Sequence, residues 1–77
     1  MPVIKRFGSI SIRMYADDRH GPHFHIASPQ FEVLVRIEDM MVLAGEVHPA
    51  RIAEAMQWAK KHRKELERRW AELNERG

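Results

Sequence analysis

Hydrophobic and polar residues alternate along the first 45 positions of the chain. Val3, Lys5 and Phe7 interleave with Ile4 and Arg6, and Ile10, Ile12 and Met14 interleave with Ser9, Ser11, Arg13 and Tyr15. A period of two is the mark of a half-buried strand, because successive side chains leave a strand on opposite faces. Gly8 divides the two runs and supplies the positive φ that a tight hairpin requires, so a strand pair joined near Phe7-Gly8 is expected. Ala16 to Pro22 reads as a loop, since Asp, Gly and Pro each favour turns. His23 to Ala27 and Phe31 to Ile37 then predict a second hairpin around Ser28-Pro29. A symmetric turn there sets Ile26 against Phe31 and Phe24 against Val33 on the core side. His25 falls opposite Glu32, and His23 opposite Leu34, on the other face. Met40 to Ala44 is expected to add a short edge strand before Gly45.

From Pro49 the period changes. Ile52, Met56, Ala59, Arg63, Leu66, Trp70 and Leu73 recur in steps of four and three, a helical stripe with Ala55, Trp58 and His62 beside it. Pro49 suits a first helical position, where its missing N–H costs nothing. Neither Gly nor Pro interrupts the run before Gly77, which predicts one continuous helix over 49–76. The expected fold is therefore α+β: an antiparallel sheet of four to five strands over 1–45, with one long C-terminal helix packed on one face, in a single domain over 1–77.

That expectation carries a mismatch of length. Such a helix spans roughly 40 Å, whereas a strand of five or six residues covers about 17–20 Å. Leu66, Trp70 and Leu73 would overhang the sheet, and burying each is worth about 1.5–3 kcal/mol. A homodimer with these three residues at its interface resolves the mismatch. That homodimer is the favoured expectation, and the alternative is a bend between Lys60 and Lys64 that returns the last turns to the sheet.

Composition narrows the function classes. The chain of 77 residues has no cysteine, which excludes disulfides, thiolate metal sites and thiol catalysis. No apolar run approaches the ~20 residues of a membrane span. The amino-terminal residues place apolar positions before charged ones, the reverse of a secretory signal, so a soluble cytoplasmic protein is expected. The net charge of +2 is unevenly spread: residues 1–48 hold five basic and six acidic residues, and 49–77 hold eight and five.

The segment richest in chemistry runs from Tyr15 to Ile26, with His20, His23 and His25 inside it. His23 and His25 share a strand face, and His20 approaches across the Gly21-Pro22 turn. Imidazoles with a carboxylate from Asp17, Asp18 or Glu32 suit zinc or a similar divalent ion. A structural or pH-sensitive hydrogen-bonded cluster is the favoured reading of the same residues, and a binding or acid–base surface without metal is a further one. No nucleophile–base constellation accompanies them, which leans away from an enzyme.

Lys60, Lys61, Arg63, Lys64 and Arg68 form a basic helical face, a candidate nucleic-acid surface. Glu65, Glu67 and Glu72 stand at helical pairing distance from several of these, which instead describes a solvated face.

The Met1-Pro2-Val3-Ile4 start, Tyr15-Ala16-Asp17-Asp18, the run His20-Gly21-Pro22-His23-Phe24-His25-Ile26 and the late Trp70 together resemble a family of small bacterial proteins catalogued as domain of unknown function 4160. Gly21 departs from a Pro common in that family, and His48 stands where a Ser or Thr helix cap is expected. The resemblance covers nearly the whole chain. It implies a bacterial origin and no established activity; members often stand beside another small protein, a two-gene arrangement read as toxin–antitoxin-like, and the expected function is a regulatory or interaction module with a protein partner. It implies no reaction.

Overall fold

The structure is a computed structural model and describes residues 3–16 and 21–74. Five antiparallel strands follow one another in space as they do in sequence: β1 Val3–Phe7, β2 Ile10–Arg13, β3 His23–Ala27, β4 Glu32–Arg36 and β5 Val42–Ala44. A 3-10 turn, Pro49–Ile52, leads into two helices, α1 Ala53–Lys61 and α2 Arg63–Asn74. The α+β expectation holds, with five strands.

Each hairpin follows from its loop chemistry. Gly8 adopts φ 64° between the paired residues Phe7 and Ile10. Between β3 and β4 the hydroxyl of Ser28 accepts from the backbone N–H groups of Gln30 and Phe31, at 3.1 and 3.3 Å. The Ser28 N–H donates to the Phe31 carbonyl at 2.8 Å. This Ser-centred turn takes residues 28–31 out of the strands. Ile26 therefore faces Val33, Phe24 faces Val35 and His25 faces Leu34, which corrects the expected register by two residues. A slip of two keeps every side chain on its predicted face, whereas a slip of one would have inverted the sheet.

The core lies between the helices and one sheet face. Ile12, Phe24, Ile26, Val33, Val35 and Ile37 pack with Ile52, Ala55, Ala59, Leu66 and Trp70. His48 caps the 3-10 turn through Nδ1, which accepts from the Ala50 N–H at 3.2 Å, so this departure from Ser or Thr keeps the capping function.

The single long helix is corrected to two. His62 breaks it with φ −115° and ψ 29°. Its Nδ1 bonds the Trp58 carbonyl at 2.8 Å, where the ring N–H must be the donor, and its ring stacks on the Trp58 indole at 4.2 Å. A side chain that takes up a helix carbonyl competes with the backbone ladder, and the chain turns there. Leu66 becomes fully buried and Trp70 is 8% exposed within one chain, with Leu73 packed half-buried against them. The bend thus answers the length mismatch, since Leu66 and Trp70 are covered within one chain and need no second copy to bury them. Arg63, the polar member of the stripe, begins α2 and donates from Nη1 to the Glu38 carbonyl at 3.1 Å, tying the helix to the β4–β5 turn.

Candidate functional site

Strand β3 carries the two described histidines of the cluster, and their environments differ. His23 is 1% exposed. Its Nδ1–H donates to the Gly21 carbonyl at 2.7 Å, since a carbonyl only accepts, and its ring lies 4.8 Å from the Trp70 indole. His25 is more open. Its Nδ1 pairs with Glu32 Oε2 at 2.8 Å, and Tyr15 meets its ring edge-on at 4.8 Å. Glu32 reaches His25 diagonally, from the position opposite Ala27. The two imidazole centroids are 5.4 Å apart. His20 and Asp18, the other residues expected here, lie outside the described residues. Among the described residues no group of three or more His, Asp or Glu side chains is placed to hold a metal.

The basic helical face is partly neutralised along its own axis. Arg63 pairs with Glu67 at 3.5 Å, Arg68 with Glu72 at 3.2 Å and Arg69 with Glu65 at 3.1 Å. Lys60, Lys61 and Lys64 remain exposed. Such i,i+4 pairs lower the field that a phosphate backbone would meet. No described helix is long and apolar enough to cross a membrane.

A surface the sequence did not mark as functional stands at the other end of the sheet. The large hydrophobic residues exposed among the described positions are consecutive: Met41 at 54%, Val42 at 43% and Leu43 at 37%. Met41 leads into β5 and Val42 and Leu43 lie on it, an edge strand whose outer backbone groups pair with no described strand. On the helix side of β5 lies an apolar groove of about 580 Å³, lined by Val42, Val47, Pro49, Ile52 and Met56, with Glu46 and Lys60 also on its walls. On the opposite side a shallower hollow of about 240 Å³ is formed by His25, Glu32, Leu34, Ala44 and Gly45. Both concavities thus open beside the same strand, and the His25–Glu32 pair belongs to one of them.

The turn leading into β5 is firmly built. Arg36 holds Asp39 through two bonds of 2.9 and 2.7 Å, and the Met41 N–H donates to Asp39 Oδ1 at 3.2 Å. This ion pair raises the Arg36 pKa and lowers that of Asp39, chiefly through the side-chain hydrogen bond between them. Met40 takes φ 60°, an unusual conformation for a side-chain-bearing residue that these bonds maintain.

The model of a family described as a domain of unknown function, DUF4160, matches residues 9–71. No curated protein and no solved structure matches the chain.

Proposed function

The chain belongs to the DUF4160 family, and from that premise we propose that it is a protein-interaction module whose recognition edge is β5. The observation that carries this reading is the run of exposed Met41, Val42 and Leu43 on an unpaired sheet edge beside an apolar groove. An exposed apolar edge is a template for another strand, and folded proteins normally blunt it with charge or cover it. Strand addition supplies affinity through backbone hydrogen bonds and specificity through pockets for alternate side chains. A two-gene arrangement, as the resemblance implies, would provide the partner from a neighbouring gene.

The test is selection of a random twelve-residue peptide library on the wild-type chain and on Val42→Lys. The substitution is at an exposed position and leaves the core intact. Peptides that bind the wild type and lose binding to Val42→Lys support the reading. Binding indifferent to the substitution sinks it.

A second reading rests on the histidine pair. A ring whose Nδ1–H is held by an oxygen acceptor has the orientation of metal-ligating histidines, and His23 and His25 both meet such acceptors. Zinc is the ion that suits them. Calorimetric titration with zinc and with His25→Ala tests it: micromolar binding lost in the variant supports a metal centre, and no heat at millimolar zinc removes it.

A further inference from the structure

The two edges of the sheet differ in a way that describes what β5 receives. Both contain a register irregularity, in β1 between Val3 and Lys5 and in the β4–β5 pairing between Leu34 and Val35. Their side chains set them apart. β1 presents Lys5 and Arg6, both exposed, which discourage pairing. β5 reads Val-Leu-Ala and carries no charge.

The β5 irregularity also sets the pattern of recognition. Val42 lies opposite Val35, a core-face residue, and Ala44 lies opposite Leu34, which is on the other face. Leu43 is the extra residue of a bulge, and the bulge turns Val42 and Ala44 to opposite sides of the sheet. Residues of an added strand would follow them. The one beside Val42 meets the apolar groove, and the one beside Ala44 meets the hollow that contains Glu32. The Glu32 carboxylate is about half exposed, at 54%, and it bonds His25 through Oε2.

Charge around the edge is predominantly acidic. Residues 32–47 contain four acidic residues (Glu32, Glu38, Asp39 and Glu46) and one basic residue, Arg36, within a chain whose net charge is +2. Arg36 is held by Asp39. Lys60 stands on the far wall of the groove as its single cation among the lining residues. Two copies paired edge to edge would bring these acidic borders together, which disfavours a dimer through β5. A cationic partner meets a complementary border instead.

We infer that β5 receives an extended segment of a different protein in which a large apolar residue alternates with Lys or Arg, the apolar side chain entering the groove and the cation reaching Glu32. This inference rests on the reading of β5 as a recognition edge and adds the chemistry of the partner.

Two end-blocked ten-residue peptides, one alternating Val with Lys and one alternating Val with Glu, are titrated into the ¹⁵N-labelled chain, alongside the library selection. The Val/Lys peptide is expected to shift the amides of residues 32–34 and 42–46. Its affinity should fall roughly fivefold in Glu32→Gln/Glu46→Gln and decline with added salt. The Val/Glu peptide should not bind. Equal binding of both peptides, or an unaffected double variant, overturns the cationic assignment. So does a selection whose Val42-dependent peptides lack Lys and Arg, although the recognition edge itself then survives. A selection with no Val42-dependent peptide overturns both. A dimer of the free chain that Val42→Lys dissociates would identify a second copy as the occupant and also overturn the inference.

Discussion

The imidazole of His23 and the indole of Trp70 lie 4.8 Å apart with their planes inclined at 53°, so the first residue of β3 and the last turns of α2 are held by one aromatic contact. Trp70 is 8% exposed and belongs to the same core cluster as Met14 and Leu66, so its removal would leave a cavity in that core. Trp70→Ala should cost about 3–5 kcal/mol of stability. In a double-mutant cycle with His23→Ala, the coupling should be about 0.5–1.5 kcal/mol. Urea unfolding followed by circular dichroism measures both, and strict additivity would deny the contact a role.

Leu66 separates the bent helix from a helix-mediated dimer. It is fully buried within one chain. Leu66→Ala should therefore destabilise by about 2–5 kcal/mol, and the loss should be independent of protein concentration. A melting temperature that rises with concentration in the wild type but not in the variant would restore the dimer.

Two glycines at positive φ should respond differently to alanine. Gly8, at φ 64°, has open space where a Cβ would stand, so Gly8→Ala should cost about 1–2 kcal/mol from backbone strain alone. Gly45, at φ 93°, would drive a Cβ into the Glu32 carbonyl and to 3.0 Å from Val33 Cα, which are backbone atoms that cannot yield cheaply. Gly45→Ala should be the more damaging of the two in thermal unfolding, and it should also disturb the β5 edge. Equal losses would contradict the packing of the Gly45 backbone on β4.

The Arg36–Asp39 turn predicts an acid response. The bond to Arg36 lowers the folded-state pKa of Asp39 below its ordinary value of 3.8. A carboxyl group with a depressed folded pKa contributes stability that is fully present above the unfolded value and disappears as pH falls through the folded one. The turn should hold at neutral pH and loosen below pH 3.8, with a lower protection factor, corrected for intrinsic exchange, at the Met41 N–H that donates to Asp39. Both groups are exposed, so the effect is local. Asp39→Asn should abolish the acid-dependent change in that amide's protection factor.

Much of the sheet was legible from the period of two, and so was its chemistry. The expected His25–Glu32 contact forms although the register differs by two, because the error preserved the face and a diagonal neighbour is within reach of a glutamate. The loop length was not legible, since it depends on the Ser28 hydroxyl taking the turn's N–H groups. The helix break was hidden for a similar reason. His62 is an acceptable helical residue, and only its capture of the Trp58 carbonyl and the burial of Leu66 and Trp70 make the break favourable. The β5 edge was predicted as an element but not as a surface. Met41, Val42 and Leu43 have core-like composition, and their exposure depends on how far the helices extend across the sheet.

Amide hydrogen exchange across β5 tests the recognition edge most directly. Val42, Leu43 and Ala44 are measured in the free chain and with a saturating peptide taken from the library selection. An added strand should slow the outward-facing β5 amide about five- to tenfold, as expected for a newly formed backbone hydrogen bond worth about 1–1.5 kcal/mol. Unchanged exchange in β5 while the peptide is bound would place recognition elsewhere on the molecule and contradict the account.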